Sequence, residues 1–178
     1  MKFLCALSAG KIIVNVKWLD DSKKAGKFVD EKKYLLKDPK TEKQYGFTLA
    51  KSCKRAQDHT QPPIFAGLTF YATSSVMPRP EELKDILEAA GAKWSKSPPP
   101  KTPVDDFVVI GHQADAKELA SLIDAGWIVH SNEFVLTGLL RMEVDYQSHI
   151  LELEDKSTSK KTSSTPGRAT PAARKKRK

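Results

Sequence analysis

The sequence predicts an α/β fold in which a four-stranded parallel sheet is flanked by helices. From Leu68 to Met142, short apolar runs typical of buried strands alternate with amphipathic stretches typical of helices, in the order β-α-β-β-α-β-α. This alternation favours parallel pairing, because each helix returns the chain to the same end of the sheet. In addition, the pattern of residues 2–24 recurs in residues 116–142. The chain is therefore predicted to hold one complete repeat, preceded by the C-terminal half of another.

Local signals place the elements of the complete repeat. Pro80 and the two acids after it favour a helix N-terminus, and Gly91 favours the end of that helix. Ser131 and Asn132 are predicted to cap the last helix. The predicted strands are residues 68–72, a short strand at Trp94, 107–110 and 127–130, and the predicted helices are residues 80–90, 116–125 and 133–142.

The first 57 residues show the same kinds of signal over a shorter span. The predicted elements are a helix over residues 2–9, a buried strand over 12–16 and a short helix over 18–24. Two apolar segments follow at 27–29 and 34–36, then a polar connection that contains residues 46–49, and then a helix over 51–57. Trp18 lies four residues before Ser22, as Phe134 lies four residues before Gly138. We therefore interpret both Trp18 and Phe134 as core anchors between a helix and the sheet.

Basic residues are concentrated at the C-terminus. Residues 156–178 contain nine Lys or Arg and no acid, so residues 1–155 carry a formal charge of −1 although the whole chain carries +8. A basic nucleic-acid-binding face on the folded body is therefore not expected. The tail is too poor in apolar residues to fold, and its last five residues are typical of nuclear import signals or of non-specific nucleic-acid contacts. They are Arg174, Lys175, Lys176, Arg177 and Lys178.

The residue inventory does not indicate catalysis. Neither Cys5 nor Cys53 has a Cys or His partner at metal-ligand spacing, and two cysteines cannot build a disulfide framework. We find no nucleophile with a matched base and no glycine-rich nucleotide turn. No apolar run approaches the length of a membrane span. We therefore expect a non-enzymatic protein with no metal, no cofactor and no membrane contact.

Five stretches together resemble the BRCT family, and in particular the C-terminal BRCT pairs of DNA damage adaptors. They are Lys2-Phe3-Leu4-Cys5-Ala6-Leu7, Trp18-Leu19 with Ser22, Lys24-Ala25-Gly26-Lys27-Phe28, Gly46-Phe47-Thr48-Leu49 and Glu133-Phe134-Val135-Leu136-Thr137-Gly138. The resemblance implies four segments. These are residues 1–57 as a partial first BRCT repeat, 58–65 as a linker, 66–150 as a complete second repeat and 151–178 as a disordered basic tail.

The resemblance also implies a phosphopeptide site. In BRCT pairs that bind phosphopeptides, the first repeat holds the phosphate with a Ser or Thr, a backbone N–H and a Lys at the start of the second helix. Lys2 matches that lysine, and the other ligands are expected upstream of Met1. A groove between the repeats reads the residue three places after the phosphate. Local alignment gives its lining as Leu4, Met77, Pro78, Glu82, Asn132 and Leu136.

An amide is expected at Glu82, and the carboxylate puts recognition of a free peptide C-terminus in doubt. The resemblance as a whole implies a phosphoprotein-binding adaptor of the DNA damage response, located in the nucleus, that docks onto phosphorylated nuclear or chromatin proteins such as histone tails. Two alternatives remain open: a BRCT interaction scaffold that is independent of phosphate, and the BRCT tail of a larger DNA repair enzyme.

Overall fold

A computed structural model describes residues 2–153, and its second repeat is built on the predicted parallel sheet. The strands are β1 (Thr69–Ala72), β2 (Lys93–Trp94), β3 (Phe107–Ile110) and β4 (Val129–His130). They lie in the order β2-β1-β3-β4, and all three pairings are parallel. Residues 149–151 cover the outer edge of β4, where the Leu151 N–H donates to the Val129 carbonyl at 2.8 Å. The predicted order of strands and helices in this repeat is confirmed.

Three helices pack on this sheet within two residues of their predicted bounds. They are α5 (Pro80–Ala89), α6 (Ala116–Asp124) and α7 (Asn132–Arg141). Pro80 occupies the first turn of α5, as predicted. Ser131 precedes α7, but its hydroxyl makes no capping hydrogen bond, and Asn132 is already helical. The predicted cap therefore has the right position without the expected side-chain contact.

The core of the second repeat centres on three phenylalanines. The ring centroids of Phe65 and Phe70 lie 5.1 Å apart, and both rings lie 6.5 Å from that of Phe134. Phe65 is fully buried, and its N–H donates to the Ala90 carbonyl at 3.0 Å. The predicted linker over residues 58–65 therefore ends in a residue that packs with the second repeat. Phe134 is the core anchor expected from the sequence.

The first half-repeat, residues 2–57, is helical. Its helices are α1 (Lys2–Ser8), α2 (Lys17–Ala25), α3 (Pro39–Tyr45) and α4 (Leu49–Ala56). The polar connection predicted before residue 48 is wrong, because α3 lies within it. Asp38 caps this helix by accepting a hydrogen bond from the Thr41 N–H at 3.1 Å, and Gly46 ends it at φ +64°.

The buried strand predicted over residues 12–16 is also wrong. Only Val14 forms a bridge, and it pairs antiparallel with Leu35. Ile12 is 56% exposed and Val16 is 77% exposed. A buried strand needs a neighbouring strand and a covering layer, and the described part of the first half-repeat supplies neither. The apolar run therefore lies at the surface, beside a cleft of about 440 Å³.

Trp18 likewise departs from its predicted role as an anchor on the sheet. Its ring stacks on Phe28 with a centroid distance of 5.3 Å and an interplanar angle of 2°. Its Nε1–H donates to the Val29 carbonyl at 2.8 Å. Trp18 therefore fixes the loop after α2 instead of anchoring a helix on a sheet.

The first half-repeat docks on the second repeat through α1 and α4. Helix α1 contacts α4, α5 and α7, and α4 contacts α7. Leu7, Leu49 and Leu140 form a buried cluster where these helices meet. The Ser52 hydroxyl donates to the Leu140 carbonyl at 2.5 Å, and the Arg141 Nε–H donates to the Tyr45 carbonyl at 3.0 Å. Apolar burial and two polar contacts therefore join the half-repeat to the complete one.

Candidate functional site: the surface between the repeats

The residues predicted to bind a phosphopeptide lie on elements that meet between the two repeats. Helix α1 carries Lys2 and Leu4 and contacts both α5 and α7. Lys2 is the first residue of α1, and it is exposed. Leu4 is half-buried and packs against both the core of the second repeat and the cluster between the repeats. The structure thus places a lysine at the solvent end of the helix that joins the repeats.

The segment before α5 contributes an exposed apolar side chain. Met77 is 62% exposed, and the peptide bond that joins it to Pro78 is cis. Glu82 is exposed in the first turn of α5, where its carboxylate accepts a hydrogen bond from the Arg79 N–H at 3.2 Å. Glu82 therefore stabilises the start of α5, whether or not a ligand is present.

The remaining two predicted groove residues lie on α7. Asn132 is its first residue, Leu136 lies one turn later, and both are half-buried. Helix α1 packs against α7, so Leu4 and Leu136 lie on neighbouring helices. Both side chains are partly exposed. The six predicted residues are thus distributed over one helix of the first half-repeat and two segments of the second repeat. Their individual roles in binding stay predictions.

Comparison with known proteins identifies the second repeat. The sequence profile of the BRCT domain matches residues 63–148. Residues 63–148 form a BRCT domain. The predicted resemblance to tandem BRCT proteins is confirmed, since the chain is 35% identical to PAX-interacting protein 1 of Bos taurus over 158 residues. It is also 33% identical to mediator of DNA damage checkpoint protein 1 of Homo sapiens over 159 residues.

These relatives are much longer proteins. The two matches cover 84% and 89% of this chain but only 16% and 7% of the respective relatives. Among solved structures, the BRCT5-BRCT6 domains of S. pombe Brc1 share the fold with a TM-score of 0.68 and 24% identity, over 85% of this chain and 77% of that one. A structure of Rtt107p in complex with a phosphorylated histone has a TM-score of 0.57 and 14% identity, over 86% and 72% of the two chains.

Sequence reasoning missed an acidic cluster at the place in the BRCT domain that corresponds to Lys2. Aligning Gly10 with Gly126 matches Lys2 with Glu118. The Tyr71 hydroxyl donates to the Glu118 carboxylate at 2.6 Å, and burial together with this carboxylate raises the pKa of Tyr71 to about 12. An ionised carboxylate repels a phosphate dianion at this position.

A second carboxylate reinforces this contrast. Asp115 precedes α6 and accepts hydrogen bonds from the N–H and the hydroxyl of Ser75, at 2.9 and 2.6 Å. Burial by itself raises the pKa of Asp115, but hydrogen bonding, with the Ser75 hydroxyl as its main donor, outweighs it, so the pKa lies below its ordinary value. The N–H and the hydroxyl of Ser75 are therefore already bound to an anion of the chain itself.

His130 is a second titratable group of the BRCT domain whose pKa is shifted by burial. It is 3% exposed, its ring lies 4.3 Å from that of Phe134, and its Nδ1 lies 3.0 Å from the Ser148 carbonyl oxygen. Burial lowers the pKa of His130, so the ring is neutral at physiological pH and Nδ1–H is the donor to Ser148. This histidine therefore serves packing.

Among residues 2–153, no group of three or more His, Cys, Asp or Glu side chains could hold a metal ion. No helix within the same range is long and apolar enough to cross a membrane. The predicted import signal, Arg174 to Lys178, lies outside the described residues.

Proposed function

We propose that this chain is part of a phosphoprotein-binding adaptor of the DNA damage response, and that it binds its partner on the surface between the repeats. The observation that supports the proposal is the packing of α1, the helix that begins at Lys2, against α5 and α7 of the BRCT domain. A lysine ammonium in this position offers a phosphate a charge-assisted contact, and the apolar side chains Leu4, Met77 and Leu136 offer contacts to the following residues.

The relatives support the class of function. One is named as a mediator of the DNA damage checkpoint and another as a protein that interacts with PAX. Rtt107p, which shares the fold, has been solved in complex with a phosphorylated histone. We therefore propose a phosphorylated nuclear or chromatin protein, such as a histone tail, as the partner, and the nucleus as the location.

The division of charge between the repeats supports Lys2 as the phosphate ligand. The corresponding place in the BRCT domain carries Glu118 and Asp115, and both carboxylates already accept hydrogen bonds from the domain itself. These carboxylates repel a phosphate dianion, whereas the Lys2 ammonium attracts it. This asymmetry supports the proposal that the phosphate binds at the first half-repeat and not at the matching place in the BRCT domain.

A pair of peptides that differ only in phosphorylation tests the proposal. Isothermal titration of the chain with a phosphoserine peptide and with its unphosphorylated twin measures the preference for phosphate. We expect about tenfold tighter binding of the phosphopeptide, equivalent to about 1.4 kcal/mol, which is the size of one charge-assisted contact. The overall affinity is expected to be low, because the Lys2 ammonium supplies a single charge-assisted contact to the phosphate.

The Lys2→Met variant is expected to lose the preference and to keep its thermal stability, because the ammonium group is exposed. Lys11→Met removes another exposed lysine of the same half-repeat and is the matched control. If both variants lose the preference for the phosphopeptide equally, the preference reflects the overall positive charge of the half-repeat and not a site at Lys2. Equal binding of the two peptides by the unsubstituted chain would instead support a phosphate-independent scaffold.

We also propose that residues 174–178 bind a nuclear import receptor, since they are the densest basic cluster of the chain. Non-specific contact with nucleic acid is the competing role of this cluster. The two roles are separable, because import acts on any cargo fused to the signal whereas nucleic-acid contact depends on salt.

A further inference from the structure

The complete repeat has an exposed apolar surface of its own, beside β4. Within residues 58–153, six large apolar side chains are exposed, and one of them, Met77, lies before α5. The other five line two neighbouring clefts next to β4. They are Val104, Ile123, Ile128, Tyr146 and Ile150.

The two clefts form one continuous surface. Their volumes are about 500 and 460 Å³, and they share a wall made by Trp127 and Ile128. Exposed apolar side chains that are scattered singly need no partner, whereas a contiguous group indicates a binding surface. We refer to Trp127 and the five exposed residues as the β4 surface. Val104 and Tyr146 line its first cleft, and Ile123 and Ile150 line its second.

The exposure of Ile128 is a property of a completely paired sheet. Ile128 directly precedes β4, which pairs with β3 on one side and is covered by residues 149–151 on the other. Its neighbour Trp127 packs on Phe107 with a centroid distance of 5.6 Å and is 5% exposed. Ile128 nevertheless stays 52% exposed. The elements of the BRCT domain therefore leave the β4 surface uncovered.

Hydrogen bonds hold both sides of the β4 surface in place. The Trp127 Nε1–H donates to the Pro100 carbonyl at 3.0 Å, which fixes the loop that carries Val104. On the other side, the Ser131 N–H donates to the carbonyl of His149, the residue before Ile150, at 2.8 Å. The clefts are thus preorganised, which lowers the entropic cost of binding.

The charges around the clefts are negative. Asp105, Asp124 and Glu152 line them, and none of the lining residues is Lys or Arg. The domain as a whole has the same sign, because residues 58–153 contain 7 Lys or Arg and 14 Asp or Glu, a formal charge of −7. Electrostatic complementarity therefore favours a basic partner. Two β4 surfaces that face each other repel through their carboxylates, which disfavours a second copy of the chain in that arrangement.

We propose that the β4 surface binds a basic segment of a partner protein that carries bulky apolar side chains. The apolar side chains enter the clefts on either side of Ile128, and Lys or Arg side chains contact Asp105, Asp124 and Glu152 at the rim. The tail of this chain, residues 156–178, has the right charge, but its apolar residues are only alanine and proline. It therefore fits the carboxylates without filling the clefts. The β4 surface contains neither Lys2 nor any residue of the predicted peptide groove.

Fluorescence anisotropy with two short labelled peptides of equal length tests this inference on the full chain. Lys and Leu alternate in the first peptide, and Ser replaces every Leu in the second. We expect the Lys-Leu peptide to bind at least about tenfold more tightly than the Lys-Ser peptide, because only its side chains fill the clefts.

Single substitutions then locate the binding site. Ile128→Ser is expected to weaken binding of the Lys-Leu peptide at least about fivefold, since Ile128 lines both clefts. Leu19→Ser is the matched control, because Leu19 is 61% exposed and lies in the first half-repeat, whose 14 Lys or Arg and 6 Asp or Glu repel the peptide. Its effect is expected to be less than about twofold.

The role of the carboxylates is measured separately. Asp105→Asn/Asp124→Asn is expected to weaken binding of the Lys-Leu peptide and to reduce its salt dependence, because both acids lie at the rim of the clefts. Glu81→Gln/Asp85→Asn removes the same charge from exposed positions of α5 and is expected to have less than about half the effect.

Four results would overturn the proposal. Two of them are equal binding of the two peptides and equal effects of Ile128→Ser and Leu19→Ser. A third is an increase in affinity of at least about fivefold when every Lys and Arg of residues 156–178 is changed to Gln, which would make the tail the occupant. The fourth is a dimer in sedimentation velocity that Ile128→Ser dissociates, which would make a second copy the occupant.

Discussion

Replacing Leu7 by Ala tests whether the first half-repeat and the BRCT domain fold as one unit. Leu7 is fully buried and lies with Leu49 and Leu140 where α1, α4 and α7 meet. Leu→Ala substitutions at buried sites cost about 2–5 kcal/mol, depending on how far the neighbours close the cavity. Half-buried side chains such as Phe3 and Ile13 pack against this cluster, so their inward movement would close part of the cavity. We therefore expect a loss of about 2–3 kcal/mol in the free energy of unfolding.

Urea unfolding measures this loss with two probes. Tryptophan fluorescence reports on both parts of the chain, since Trp18 lies in the first half-repeat and Trp127 in the BRCT domain, and far-ultraviolet circular dichroism reports on the helices. If the docked unit is cooperative, both transitions move together to lower urea in the Leu7→Ala variant. Leu19→Ala is the control, because Leu19 is 61% exposed and its truncation is expected to cost less than about 0.5 kcal/mol. An equal effect of the two substitutions would refute the packing of α1 between the repeats.

Two further predictions concern pH and location. Burial lowers the pKa of His130 in the folded state, whereas in the unfolded chain it has its ordinary value of about 6.5. As pH falls below about 6.5, the unfolded chain therefore binds more protons than the folded chain. The contribution of His130 to stability is complete above that pH and is lost as pH falls towards the lower folded pKa. The melting temperature should accordingly fall more steeply between about pH 7 and 5 in the unsubstituted chain than in His130→Gln, and equal slopes would contradict the burial of a neutral ring. Fusion of residues 156–178 to a neutral fluorescent protein should concentrate it in nuclei, whereas the same fusion with residues 174–178 changed to Gln should spread evenly; a uniform signal from both would exclude the import role.

The sequence was sufficient to predict the BRCT domain because its local signals agree with its packing. The run over residues 107–110 has apolar residues at every position, which is typical of a strand covered on both faces, and it forms the central strand β3. Pro80 and Gly91 mark the two ends of α5, and both positions are confirmed. Phe134 is buried as predicted, because its position on α7 faces a complete sheet.

The same kind of reasoning failed where an element depends on distant neighbours. The apolar run over residues 12–16 has the composition of a buried strand, but composition cannot supply the second strand that it must pair with. Trp18 has the spacing of a core anchor, yet without a sheet beneath it the ring packs on Phe28. Helix α3 is a different case, because Asp38-Pro39 and Gly46 were present as start and stop signals for a helix only seven residues long.

The sequence by itself determined the family, the succession of strands and helices in the complete repeat, the basic tail and the residue types of the predicted peptide groove. All of these depend on periodicity, composition or short motifs, which are local properties of the chain. Only the tertiary structure showed that α1 contacts both α5 and α7, and that Glu118 and Asp115 make the matching place in the BRCT domain acidic. These features depend on contacts between residues far apart in sequence and on which side chains remain exposed after packing. Neither property can be read from spacing along the chain, because burial is decided by the whole fold.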